Sequence, residues 1–393
     1  MRQFLFIFFL LFSEVCCHIA FGQKPVIMDG PYVRYSGDQV VMSTIEKDDD
    51  LLRVRATRLP LDSVAGYELK VVPEENKDWA FWVHLRAGPN RFSADQDKLS
   101  TTHDLIMPSV YPDPGKLLFI SDTEGEFGNL RNILLASGVM DKAYRWIFST
   151  GGLVIAGDLF DRGKDVPAQL WLLYKLEAEA RAFGGRVHVI LGNHDLMNLS
   201  GDFRYVDGKY FKNAWLLGTD PAGLFGRDTE LGRWLRSKNL VEKIGDVLVM
   251  HGGLSPAAAA LKLDLHSINR ICRPYLAHRI SAMPDTAVLL MGPEGLPWYR
   301  GYFRSPRVSI HDFDSLLAQY SAKYMVVGHT ILRWGIAGYY GGKLIGIDVD
   351  RHKSNTGAVL YFHGCWQAVD ASGKTHDLPI LADDAIIKDR DIL

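Results

Sequence analysis

The feature that most constrains this chain is a recurring texture between residues 116 and 329. Five short apolar runs recur there: KLLFIS (116–121), GLVIAG (152–157), RVHVIL (186–191), DVLVMH (246–251) and YMVVGH (324–329). Each run is continuous rather than alternating, so both faces of the strand it forms must be covered. Helix-like stretches separate the first three. One is FGNLRNILLASG; the other is VPAQLWLLYKLEAEARAFG, in which Val166, Leu170, Leu173 and Ala180 fall on one face. Such strands alternating with helices make βαβ units around a covered sheet. Ligands collect at the carboxyl ends of strands arranged this way.

Each run ends in residue types that bind metals. The first gives Asp122-Thr-Glu124-Gly, the second Gly157-Asp158-Leu-Phe-Asp161-Arg162-Gly163 and the third Gly192-Asn193-His194-Asp195. The fourth gives His251-Gly252-Gly253 and the fifth Gly328-His329-Thr330. Asp122 and Asp158 are 36 residues apart, and Asp158 and Asn193 are 35 apart. A βαβ unit takes about 30 residues or more, so successive strands bring these side chains to one sheet edge. Oxygen and imidazole donors suit divalent ions such as Mn, Fe or Zn. The chain has 37 glycines, and many of them stand beside these ligand types, where the backbone must turn sharply or let phosphate approach.

The ordered set, with GDLFDRG, GNHDLMNLSGDFRYV from Gly192 to Val206, and WYRGYF, resembles the calcineurin-like metallophosphoesterases. More narrowly it is similar to the phosphoprotein-phosphatase branch and its bacterial relatives, the Shewanella-like phosphatases and the symmetric dinucleotide tetraphosphatases. The resemblance covers roughly residues 116–350. It implies a four-layer α/β sandwich of two central mixed β-sheets flanked by helices. It also implies roles. Asp122 and Glu124 would bind a first metal, and Asp158 would bridge to a second completed by Asn193, His251 and His329. His194 would be the general acid, oriented by Asp161. Arg162 and Arg300, with Asn193, would hold the phosphate. Two metals about 3.5–4 Å apart activate a water and clamp both oxygens of an in-line displacement. Arginine's planar fork matches phosphate.

Three positions depart from that pattern. Glu124 stands where the family usually has a histidine. Three carboxylates then face two divalent ions, which makes the site less electropositive and harder in ligand type. Manganese or magnesium is therefore expected ahead of iron or zinc, manganese foremost. Asp195 replaces the more usual Glu. Leu191 sits where eukaryotic protein phosphatases carry Arg.

The rest of the chain frames this site. Residues 1–22 read MRQFLFIFFLLFSEVCCHIAFG, with Arg2 before an apolar run from Phe4 to Phe12 and a small-x-small pattern at Ala20 and Gly22. That is the form of a secretory signal peptide, and it implies export to the periplasm or medium. Glu14 interrupts the run too early for a membrane span, and no later stretch could span one. Residues 23–113 carry β-type runs at Tyr32–Tyr35, Gln39–Thr44, Leu51–Thr57, Tyr67–Val72 and Trp79–Leu85, a small β-rich accessory region. The resemblance implies a metallophosphoesterase domain over residues 114–393, with cap insertions near 196–245 and 254–320. Cys272 and Cys365 could pair in an oxidising compartment or stay as ordinary cysteines. His188 reads as a core residue.

The charge is nearly balanced, Lys+Arg 44 against Asp+Glu 46, which argues against a nucleic-acid binder working by bulk charge. The expected partner is a phosphorylated substrate. The expected function is exported two-metal phosphomonoester hydrolysis, on phosphoprotein or a small ester. The alternatives are a nucleotide or dinucleotide polyphosphate hydrolase and, from another class, an inactive binding protein on a phosphatase fold.

Overall fold

The computed structural model describes residues 26–48, 50–60, 67–73, 81–87, 106–349 and 357–381. The segment read as a signal peptide lies outside them. Five strands come first: β1 (Val26–Ser36), β2 (Gln39–Asp48), β3 (Leu51–Pro60), β4 (Tyr67–Pro73) and β5 (Phe81–Ala87). The first three make one antiparallel sheet and the last two pair separately.

In chain order the later strands are β6 (Val110–Tyr111), β7 (Lys116–Ile120), β8 (Gly152–Ala156), β9 (Arg186–Ile190), β10 (Val241–Ile244) and β11 (Val247–Met250). They continue with β12 (Tyr324–Val327), β13 (Ala337–Tyr339), β14 (Leu344–Gly346), β15 (Gly357–Phe362), β16 (Cys365–Asp370) and β17 (Thr375–Asp377). They form two six-stranded mixed sheets, ordered β17-β16-β15-β7-β8-β9 and β13-β14-β12-β11-β10-β6. Within them β7, β8 and β9 run parallel, as do β11 and β12. Residues 110–111, which the sequence reading grouped with the accessory region, are thus an edge strand of the second sheet. Residues 241–244, grouped with a cap insertion, lie inside it.

The continuous apolar runs follow from this layering. Leu117, Phe119, Val154 and Ala156 turn inward and meet Val247, Val249, Val326 and Ile345 of the facing sheet. Their neighbours Leu118, Ile120, Leu153 and Ile155 turn outward to the helix layer. Each fully buried side chain of this kind contributes about 1.5–3 kcal/mol, so neither face can turn polar cheaply.

Helix α1 (Phe127–Ala136) links β7 to β8, α2 (Val166–Ala182) links β8 to β9, and α3 (Asn193–Ser200) follows β9. Beyond them lie α4 (Gly208–Leu216), α5 (Glu230–Arg236), α6 (Pro256–Ala259), α7 (Leu265–Cys272), α8 (Asp285–Met291) and α9 (Ile310–Gln319). The sequence predicts one buried face for α2, yet Trp171, Leu172 and Tyr174 on its other sides are buried too. The accessory strands cover them: Trp171 Nε1 donates to the Pro31 carbonyl at 2.8 Å, and the Tyr35 and Tyr174 hydroxyls meet on Glu230. Cys272 is buried and Cys365 exposed, and both thiols are free, so the possible disulfide is not formed. Among the described residues no helix is long and apolar enough to cross a membrane.

Candidate active site

The strand ends named in the sequence meet along one edge, where polar contacts tie neighbouring turns within each sheet and then the two sheets to each other. The Asp122 N–H donates to the Gly157 carbonyl at 3.0 Å, and the Gly328 N–H donates to the His251 carbonyl at 2.8 Å. His251 crosses between sheets, with Nδ1 2.7 Å from the Ala156 carbonyl. The bond fixes the ring and leaves Nε2 facing the centre.

The turns that carry these groups are tight. Asp122, Glu124, Asp158, Asp161, Arg162 and His329 all have positive φ, between 41° and 77°. Side chains other than glycine rarely stay there unless the surroundings over-determine them, and such positions cluster at functional sites. Two glycines let the turns close up. A Cβ on Gly192 would collide with the Asp158 carboxylate, and one on Gly328 with that of Asp122.

Around Asp158 the donors fall into two groups, each with its atoms within 4.8 Å of one another. One is Asp158, His251 and His329; the other is Glu124, Asp158 and His194; all five residues are buried. His251 Nε2 is 3.0 Å from the Asp158 carboxylate, 3.1 Å from Asn193 Oδ1 and 4.0 Å from Asp122 Oδ1. Asp122 Oδ2 accepts the His329 N–H at 3.2 Å and contacts the Ser121 hydroxyl. The His329 ring lies 5.0 Å from that of His251, with Nε2 3.0 Å from the Trp298 carbonyl. Arg300 lies over this side, donating from Nη2 to the His329 carbonyl at 2.9 Å.

On the other side His194 Nδ1 is 2.5 Å from Asp161, whose second oxygen accepts from Asn198 at 2.6 Å. His194 Nε2 points back to the centre, 3.9 Å from both Asp158 and Glu124. Glu124, which shares the sequence motif with Asp122, is ion-paired with Arg162.

The electrostatics match a site built for cations. Burial pushes the Asp122 carboxyl up, and the charge of Asp158 adds to that against the pull of His251. Burial also opposes charge on Asp158, but His251 and His194 outweigh it and hold its pKa well below the usual range. Burial disfavours a charged His251, yet Asp158 and Asp122 push it up to about 10. His329, buried and beside His251 and Arg300, is pushed well below the ordinary histidine value. His194 is raised: burial lowers it, but Asp158 and Asp161 prevail. Three buried carboxylates, two imidazoles and an amide oxygen are the donor set divalent ions take, so these residues fit the two-metal expectation.

The sequence reading missed two features. Asp195 was noted only for its type. Its carboxylate accepts N–H groups from Asp158, Leu159, Phe160 and Gly192 at 2.7–3.2 Å, clasping two site turns together. Burial, then the charge of Asp158, pushes its pKa up to about 7. Tyr205 was passed over. Its carbonyl accepts the Arg162 N–H, and its ring lies 5.2 Å from the His194 ring and 5.3 Å from the Arg162 guanidinium. The adjacent Arg204 is turned away and forks onto Asp202. His188 is buried as expected, 2.7 Å from Glu242 on the facing sheet.

Comparison with known proteins gives a consistent answer. Residues 115–332 match the family model described as calcineurin-like phosphoesterase. Shewanella-like protein phosphatase 1 of Plasmodium berghei is 30% identical over 229 residues, which span 55% of this chain and 61% of that one. Shewanella-like protein phosphatase 2 of Arabidopsis thaliana is 26% identical over 296 residues, 63% of this chain and 74% of that one. A crystal structure of a cold-active protein-tyrosine phosphatase from a psychrophilic Shewanella superposes with a TM-score of 0.75 at 30% identity, covering 89% of this chain and 99% of that one.

Proposed function

The chain belongs to the calcineurin-like phosphoesterase family, and from that premise we propose that it is a metal-dependent phosphomonoesterase acting on phosphorylated proteins. The observation that carries this reading is the place of Asp158. It stands between His251 and His329 on one side and the His194–Asp161 pair on the other. The relatives named as protein phosphatases support the choice of substrate.

Asp122, Glu124 and Asp158 would hold one divalent ion, and Asp158, Asn193, His251 and His329 a second. Bound there, such a pair supplies an activated water and a clamp for the attacking and leaving oxygens. Manganese fits best, because Glu124 adds a hard oxygen where an imidazole is usual. Arg162 and Arg300 receive the phosphoryl oxygens with their planar forks. To do so Arg162 would exchange its ion pair with Glu124 for phosphate, leaving that carboxylate available to hold a divalent ion. His194 gives its Nε2 proton to the leaving oxygen, while Asp161 keeps Nδ1 protonated and the ring aimed.

The test is a panel with Mn, Mg, Fe or Zn added. It compares an aryl phosphate, phosphoserine, phosphothreonine and phosphotyrosine peptides, and a dinucleotide polyphosphate. Hydrolysis of the aryl phosphate and peptides is expected, fastest with Mn, with kcat falling about 10²–10⁴-fold in His194→Asn. Turnover of the dinucleotide alone would transfer the reading to a polyphosphate hydrolase. Export through residues 1–22 is part of the proposal. Secreted or periplasmic protein should begin at Gln23 on N-terminal sequencing; retention of Met1 would overturn it.

A further inference from the structure

Helix α4 is amphipathic in an unusual sense. Its inner face is polar and tied down: the Tyr210 hydroxyl accepts the Val166 N–H at 2.9 Å and donates to the Lys164 carbonyl at 2.7 Å, and Asn213 donates to Asp29 at 2.5 Å. Asp207 caps the start by accepting the Lys209 N–H at 2.8 Å. Its outer face carries Gly208, Phe211, Lys212 and Trp215, all exposed at the i, i+3, i+4, i+7 spacing of one helical stripe. Trp215 is 77% exposed and Phe211 46%. Large apolar groups clustered on a surface mark an interaction site.

The stripe does not stop at the helix. The Phe211 ring stands edge-on to Phe203 at 5.9 Å. Two residues further on is Tyr205, 45% exposed, whose ring flanks His194 and Arg162. Aromatic rings thus stand at the catalytic mouth, on Tyr205, and along α4, on Phe211 and Trp215, with Phe203 against Phe211 and two residues from Tyr205 in the chain. The Tyr205 ring stands beside the imidazole that faces the leaving group. In a phosphoprotein the leaving group is a side-chain oxygen, so the polypeptide bearing it must emerge at that point.

We propose that Tyr205, Phe203, Phe211 and Trp215 form the docking track for the polypeptide of a phosphoprotein substrate. The track would bind bulky apolar side chains flanking the phosphorylated residue. The helical turn from Phe211 to Trp215 is about 5.4 Å long. Adding the 5.9 Å from Phe211 to Phe203, the track spans several extended residues. Lys212, on the same stripe, favours an acidic companion in the peptide. A lipid surface is the less fitting occupant. Interfacial helices are rich in basic residues, whereas α4 has two lysines, and Lys209 is engaged by Asp29 and the Lys164 carbonyl.

The inference rests on the phosphatase reading, and the experiment separates the two. Wild type and the double variant Phe211→Ala/Trp215→Ala are compared on an aryl phosphate and on two phosphopeptides. One peptide carries Leu or Phe four to six residues from the phosphorylated residue, and the other carries Ser there. Both substituted rings are exposed, so the variant should fold, and an unchanged aryl phosphate kcat/KM confirms that it does. The expected result is a KM for the apolar peptide raised about tenfold, with kcat kept and the Ser peptide unaffected. If the aryl phosphate is hydrolysed but the peptides do not distinguish wild type from variant, the track is refuted and the phosphatase reading stands. If wild type hydrolyses no phosphoester, both fall. Loss of binding to phosphatidylglycerol vesicles in the variant, with peptide KM unchanged, would make the stripe a membrane surface and overturn the proposal.

Discussion

His194 shows how much depends on a partner atom. Alone and buried, its imidazole would lose its proton; Asp158 and Asp161 reverse that and raise its pKa above the ordinary 6.5. A general acid works only while protonated, so kcat on a substrate with a poor leaving group should fall as pH rises through this raised value. Asp161→Asn removes one of the two supports. Its alkaline limb should move to lower pH, with kcat reduced across the profile, as read from pH–rate curves at saturating metal. A limb that stays in place would show that Asp161 does not tune the proton. The strand pattern placed GDLFDRG and GNHD at one sheet edge; the pairing of His194 with Asp161 was expected only through the family resemblance of those motifs. Tyr205 was not legible. Nothing in GDFRYV distinguishes Tyr205 from Arg204, and its position depends on a bond from the Arg162 N–H, 43 positions earlier in the chain.

At the level of elements, the strands could be read because burial on both faces forces an unbroken apolar run. The same rule hides short pieces. Val110–Tyr111 pairs through two residues, too few to show a pattern, so its place beside β10 could be found only in three dimensions. The accessory strands were visible from their turns; Trp79 and Ala80, which open the last run, lie outside the described residues. The composition of these strands suggested packing or partner contact; that α2 is the surface they cover depends on the tertiary fold. The family resemblance sets Glu124 beside Asp122 on a first metal, and it gave no sign of the ion pair Glu124 makes with Arg162. Both residues sit on left-handed turns whose backbones interlock: Gly163 N–H donates to the Glu124 carbonyl at 2.8 Å.

At the scale of the whole molecule, the centre belongs to neither sheet. Asp122 and Asp158 leave the first, and His251 and His329 leave the second. Divalent ions shared between them would bind only when both sheets are in register, and binding restricted to the folded state stabilises by about 2.7 kcal/mol at a hundred times Kd. Activity and tertiary structure should therefore be lost at one urea concentration, and Mn should move both midpoints upward together. An activity midpoint well below the structural one would disprove the coupling. With ions bound there, the two halves of the sandwich would act as jaws held by what they grip, and turnover would gauge whether the jaws are aligned. A mutation that shifts one sheet against the other would silence the enzyme with every ligand residue unchanged.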